Sequence, residues 1–152
     1  MAFLACVMLT LAGRAVAAQT TVTALRGLDF GSIISGTTTT VAANSSSAMA
    51  FRISAGIGLS LGMNVTLPTT LTRVGGGGQL PVTFCSTCAI YRVNNSSPGG
   101  GTTFNPSNGL LGLLLLLGGD VYVWIGASTS PPLNQPAGSY TGSVVVTTFA
   151  II

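Results

Sequence analysis

The chain has 152 residues, enough for one domain with a sizeable core, yet only 5% of them are charged against roughly 25% in ordinary soluble domains. Lys, Glu and His are absent, which excludes a Ser–His–Asp triad and leaves Asp29 and Asp120 as the only carboxylate pair open to glycosidase chemistry. The five Arg stand singly at positions 14, 26, 52, 73 and 92 and make no stripe for a phosphate backbone, so nucleic acid is not an expected partner.

Polarity comes instead from twenty Thr, fifteen Ser and 21 Gly. Hydroxyls solvate a surface without charge, and Thr is at home in a pleated sheet. At the start, Phe3 to Ala12 is an apolar run followed by the small-residue stretch Ala15-Val16-Ala17-Ala18, the pattern of an export signal over residues 1–18. The remaining 19–152 then form a single domain, and Cys6 leaves with the signal.

Gln19 to Leu25 predicts a weak strand, and Thr37 to Ala43 an extended segment before the turn Asn44-Ser45-Ser46-Ser47. Ala48 to Ser54 alternates Met49, Phe51 and Ile53 against Ala50, Arg52 and Ser54, a half-buried strand at period two. Leu59 to Leu67 alternates most regularly of all, with Leu59, Leu61, Met63, Val65 and Leu67 on one face, and Pro68 closes it. Beyond the break Gly75–Gly78, two strands at Leu80–Phe84 and Ala89–Val93 flank Cys85 and Cys88.

Asn94 to Gly109 is expected as a loop and Leu110 to Leu117 as a buried strand, since a run cut by Gly118-Gly119 falls well short of the roughly 20 residues of a membrane span. No stable membrane span is therefore expected in the mature chain. Val121 to Gly126 is a further strand, and Ser128 to Gly138, with three Pro, a loop. Seven to nine short strands without an amphipathic helix predict an all-β sandwich.

The closing strand is apolar on both faces, with Val144, Val146, Ala150 and Ile152 on one and Val145, Phe149 and Ile151 on the other. Such a strand requires cover on both sides or burial at an assembly contact. Tyr140, Val144, Val146, Phe149, Ile151 and Ile152 are therefore the expected subunit contacts, and Gln19 to Leu25 offers a second edge for the same groove.

Other candidate sites read as structural. Cys85-Ser86-Thr87-Cys88 has redox or half-zinc spacing, but no second Cys pair or His completes a metal site, and a small disulfide suits an exported protein. Asp29 and Asp120 lie beside glycines, where Asp caps turns. Tyr122 and Trp124 share a face and suit either stacking on a sugar or core packing. Gly75–Gly78 lacks the following Lys of a phosphate loop. No cofactor or metal is expected, and an enzyme is not.

Leu28-Asp29-Phe30-Gly31-Ser32-Ile33, Leu67-Pro68 and Gln135-Pro136-Ala137-Gly138-Ser139-Tyr140-Thr141-Gly142 together resemble a bacterial secreted domain family of unknown function. That family is marked by "LDFG" near its start and "aGxYxGxxxVTxxY" at its end, after a "vGgxl" strand that here is Val123 to Ser128. The outline is more distantly similar to spore coat protein U domains and the archaic chaperone–usher pilins, and the resemblance covers about Leu25 to Ile152. It implies an immunoglobulin-like β-sandwich, incomplete and completed by strand addition from a neighbour's N-terminal segment. It also implies export and a role in pili or surface adhesion. The expectation is a secreted structural subunit on the bacterial cell surface, partnered by copies of itself and by a periplasmic chaperone. The alternative is a stand-alone binding module for glycan or host protein.

Overall fold

The structure, a computed structural model, describes residues 20–115 and 118–151. The expected export signal, Leu116, Leu117 and the contact residue Ile152 lie outside the described residues. Thirteen strands follow in order: β1 (Thr21–Arg26), β2 (Thr39–Val41), β3 (Met49–Ala55), β4 (Leu59–Thr66), β5 (Thr70–Arg73), β6 (Gln79–Thr83) and β7 (Ala89–Val93), then β8 (Thr102–Phe104), β9 (Leu110–Leu115), β10 (Gly119–Ile125), β11 (Ala127–Thr129), β12 (Tyr140–Thr141) and β13 (Val145–Ile151). One 3-10 turn, Pro106–Asn108, is the only helical element among the described residues. The chain is an all-β, sandwich-like fold built from antiparallel sheets.

Ten of these strands are halves of longer ones. β2 leads into β3, β4 into β5, β6 into β7, β10 into β11 and β12 into β13, each pair parted by a short irregular stretch. Joining the five pairs reduces the thirteen strands to eight. The breaks lie at one level. Below it β2, β11, β6, β5 and β12 form one sheet; above it the sheet forks, with β1-β3-β10-β7-β8 in one layer and β13-β4-β9 in the other.

Gly126 shows why the break is needed there. A Cβ on it would lie 2.2 Å from the Val41 carbonyl oxygen and 2.7 Å from the Ala43 nitrogen, so only glycine lets the two backbones pass. Its N–H donates to the Cys88 carbonyl at 2.8 Å, which ties the break in β10–β11 to the one in β6–β7.

The core fills the fork. Phe51, Ile53, Val121, Val123 and Ile125 from one layer meet Leu61, Met63 and Val65 from the other, all buried. Fully burying side chains of this size stabilises by about 1.5–3 kcal/mol each. These are the positions that period-two alternation selected in Ala48–Ser54 and Leu59–Leu67, because alternate residues of a strand face opposite ways.

Outer faces explain the unusual composition. Register places Thr40, Ser128 and Thr83 in one outward row of the lower sheet, with Thr38 and Ser130 beside it. The Thr38–Ser130 and Thr40–Ser128 hydroxyls bond across the strands at 2.8 Å each. The lower sheet is thus solvated by hydroxyls in place of charges.

Two segments differ from expectation. Within the stretch expected as a loop, Thr102–Phe104 forms β8, because Phe104 pairs with Ala89 and sets its ring edge-on to Tyr91 at 5.9 Å. The Leu-rich run is a strand over Leu110–Leu115, as expected, but it sits at a sheet edge and is irregular opposite Gly62. Leu111 is accordingly 70% exposed there rather than buried.

Candidate functional site

Following the pairings round the molecule exposes a gap. β1 pairs with β3, β3 with β10, β11 with β6, β6 with β5 and β5 with β12. β13, the continuation of β12, pairs on one side with β4. Among the described residues no strand pairs the free edge of β12 and β13 to the free edge of β1.

Between these edges runs a groove of about 540 Å³. Val22 and Ala24 of β1 form one wall, Gly142, Val144 and Val146 the other, and Phe51, Val82 and Phe84 reach it from below. The floor side chains belong to or pack against the buried core. Val22, which points inward by register opposite Ile53, is still 37% exposed among the described residues.

The groove is closed at one end and open at the other. Thr20 Oγ1 and Thr148 Oγ1 meet at 2.9 Å, drawing the start of β1 onto β13. Arg26, Leu28 and Phe30 line the other end with Tyr140 and Thr141, so β1 and β12–β13 run antiparallel along the two walls.

The two ends of the sequence resemblance meet at this open end. Asp29 Oδ1 accepts the Gly31 N–H at 2.8 Å, and the Asp29 N–H donates to the Ser47 carbonyl, which holds Leu28 and Phe30 toward the groove. Opposite them, the Arg73 Nε–H donates to the Ala137 carbonyl at 2.8 Å. The Tyr140 hydroxyl donates to the Pro136 carbonyl and accepts from Gln135 Nε2. A second cavity, of about 550 Å³, lies between these two loops and shares Leu28, Phe30, Leu71 and Tyr140 with the groove.

The expected subunit contacts divide between two surfaces. Tyr140, Val144 and Val146 line the groove. Phe149 and Ile151 do not: they oppose Gly62 and Ser60, whose side of β4 faces away from the core. The Phe149 ring covers Gly62, where an added Cβ would clash with it, so its role is packing across the strand pair. Of the groove residues, the edge at Gln19–Leu25 was legible in the sequence, whereas Leu28, Phe30 and Phe84 were not. All three lie next to Gly or Cys in irregular backbone, where no alternation marks an inward face.

Cys85 and Cys88 are joined in a disulfide that closes the turn between β6 and β7, directly after the groove residue Phe84. Asp120 accepts from Ser54 Oγ at 2.6 Å and pairs with Arg52 at 3.6 Å, at the end of β10 remote from Asp29, so the two carboxylates form no catalytic pair. By register Asp120 lies level with Thr21, at the start of β1, while Asp29 follows the end of that strand. At about 3.3 Å per residue this separates them by roughly 20 Å or more.

Trp124 is 3% exposed and lies against Tyr122, ring centroids 6.2 Å apart, which leaves it no open face for a sugar. No group of three or more His, Cys, Asp or Glu side chains comes together among the described residues. No helix among them is long and apolar enough to cross a membrane. Comparison with protein-family models, curated proteins and solved structures finds no match for this chain.

Proposed function

We propose that this chain is a non-enzymatic, exported structural subunit of a pilus or fimbria-like surface filament, completed by a β-strand from a neighbouring copy. The observation that carries the proposal is the gap between β1 and β12–β13, floored by core side chains and bordered on both sides by strand edges that no strand among the described residues pairs. A strand laid there gains main-chain hydrogen bonds from two edges, and its alternate side chains bury against Phe51, Phe84 and Val146. Low charge and hydroxyl-covered outer sheets suit a protein that packs against copies of itself.

The antiparallel walls also give the gap a direction. The closed end lies at Thr20 and the open end at Tyr140. A strand contributed by one subunit to the groove of the next makes a head-to-tail contact, which propagates as a filament rather than closing as a dimer.

Negative-stain microscopy of exporting cells with and without the chain tests this reading. Filaments that vanish on its removal and return on its restoration support it. Soluble, monodisperse monomers from the unmutated chain at high concentration count against it.

A further inference from the structure

The three side chains that floor the groove are held in different ways. Phe51 lies in β3, paired on both sides, and Val82 lies in β6, paired to β5 and β11. Phe84 lies in neither β6, which ends at Thr83, nor β7, which begins at Ala89. The five residues from Phe84 to Cys88 cross from the lower sheet to the upper one in irregular backbone. Three ties hold this crossing. The Cys85–Cys88 disulfide closes it, the Cys88 N–H donates to the Cys85 carbonyl at 3.2 Å, and the Gly126 N–H donates to the Cys88 carbonyl at 2.8 Å. Cys85, Ser86 and Thr87 are exposed, and Cys88 is half-buried.

We propose that the Cys85–Cys88 disulfide is a redox latch on the groove: the oxidised turn sets Phe84 beneath an incoming strand, and reduction slackens it. The inference rests on the strand-addition reading above and adds a condition to it, that oxidised copies take a strand more tightly than reduced ones. The step is a thiol–disulfide exchange with a dithiol reductant. Its thiolate attacks the exposed Cys85 sulfur, Cys88 leaves as a thiolate and takes up a proton, and the second thiolate of the reductant resolves the mixed disulfide. Two electrons and two protons pass to the cysteines, and the dithiol becomes a cyclic disulfide. The closed loop spans only four residues, so its release loosens one turn and leaves the paired strands on either side in place. An arriving strand must then order Phe84 itself, and its affinity falls by that cost. A copy still carrying thiols, as in a reducing compartment before export, is the poorer acceptor.

The test uses the full chain and a blocked, labelled peptide of about nine residues alternating Val and Thr, the length of a long strand. Binding is read by fluorescence polarisation with and without dithiothreitol. Reduction should weaken it about three- to tenfold, the scale of one immobilised side chain, and reoxidation should restore it. The double variant Cys85→Ser with Cys88→Ser should bind like the reduced chain and ignore dithiothreitol, which separates the latch from any effect at Cys6. In amide exchange, Gly126 should gain on Val123 in the reduced chain, since its bond to Cys88 opens locally. Circular dichroism should remain that of the folded chain. Four results overturn the latch and leave the groove reading intact: equal affinity in both redox states, a dithiothreitol effect that persists in the double variant, Gly126 and Val123 rising alike, or loss of the folded signal on reduction. Failure of the oxidised chain to bind the peptide overturns both.

Discussion

Val146 and Val145 are neighbours on β13 that face opposite ways, which allows the groove to be tested with its own control. Val146 lines the groove and opposes the buried Val65, while Val145 opposes Thr66 and is 56% exposed. Fully burying a valine is worth about 1.5–3 kcal/mol, and the half-buried Val146 has roughly 1 kcal/mol of that still to gain when a strand covers it. An aspartate in its place can stay hydrated while the groove is empty, but a seated strand strips water from an unpaired carboxylate at a cost of at least about 2 kcal/mol. Val146→Asp should therefore weaken strand seating by about 3 kcal/mol or more, over 100-fold, with a smaller loss of monomer stability. Val145→Asp should leave both nearly unchanged. Circular dichroism melts establish that each variant is folded, and light scattering with negative-stain microscopy reads assembly. Val146→Asp protein that is folded and assembles like the unmutated chain would falsify the groove argument, as would equal loss of assembly in folded Val145→Asp.

Three further outcomes follow from the fold. Gly126→Ala should destabilise by about 3 kcal/mol or prevent folding, since its Cβ meets the Val41 carbonyl and no flexible side chain can yield; urea denaturation measures this. Replacing both Cys85 and Cys88 by Ser should cost about 2 kcal/mol, the loop-closure entropy of a four-residue loop, seen as a melting point lower by roughly 5–8 °C. Phe149→Ala should lower stability by about 1 kcal/mol by uncovering Gly62, and should leave peptide affinity for the groove within about twofold, because the ring faces away from it.

Much of this architecture was legible where strands alternate. Met49–Phe51–Ile53 and Leu61–Met63–Val65 declare an inward face, and the same period sorted Val144 and Val146 from Val145 and Phe149. It did not follow that Phe149 and Ile151 serve the same contact as Val146, since apolar character alone does not separate a groove wall from a cross-strand cover over glycine. The forked sheet was hidden for another reason. Its five breaks fall at Gly126, the disulfide turn and short irregular joints, whose common level arises from pairing between segments distant in sequence. β8 was missed likewise, because only its contact with β7 makes Thr102–Phe104 a strand. Leu28 and Phe30 reach the groove through a side-chain-capped turn, which carries no periodic signal.

On the proposed strand addition, the two edges left unpaired among the described residues also bear on how a subunit would carry tension. A strand gripped along both flanks, and pulled along its own axis, loads its rungs in shear, so they must fail together rather than one by one from an end. Rupture under force is then governed by a rate and not by the equilibrium affinity. A joint of modest binding strength can therefore be long-lived under load.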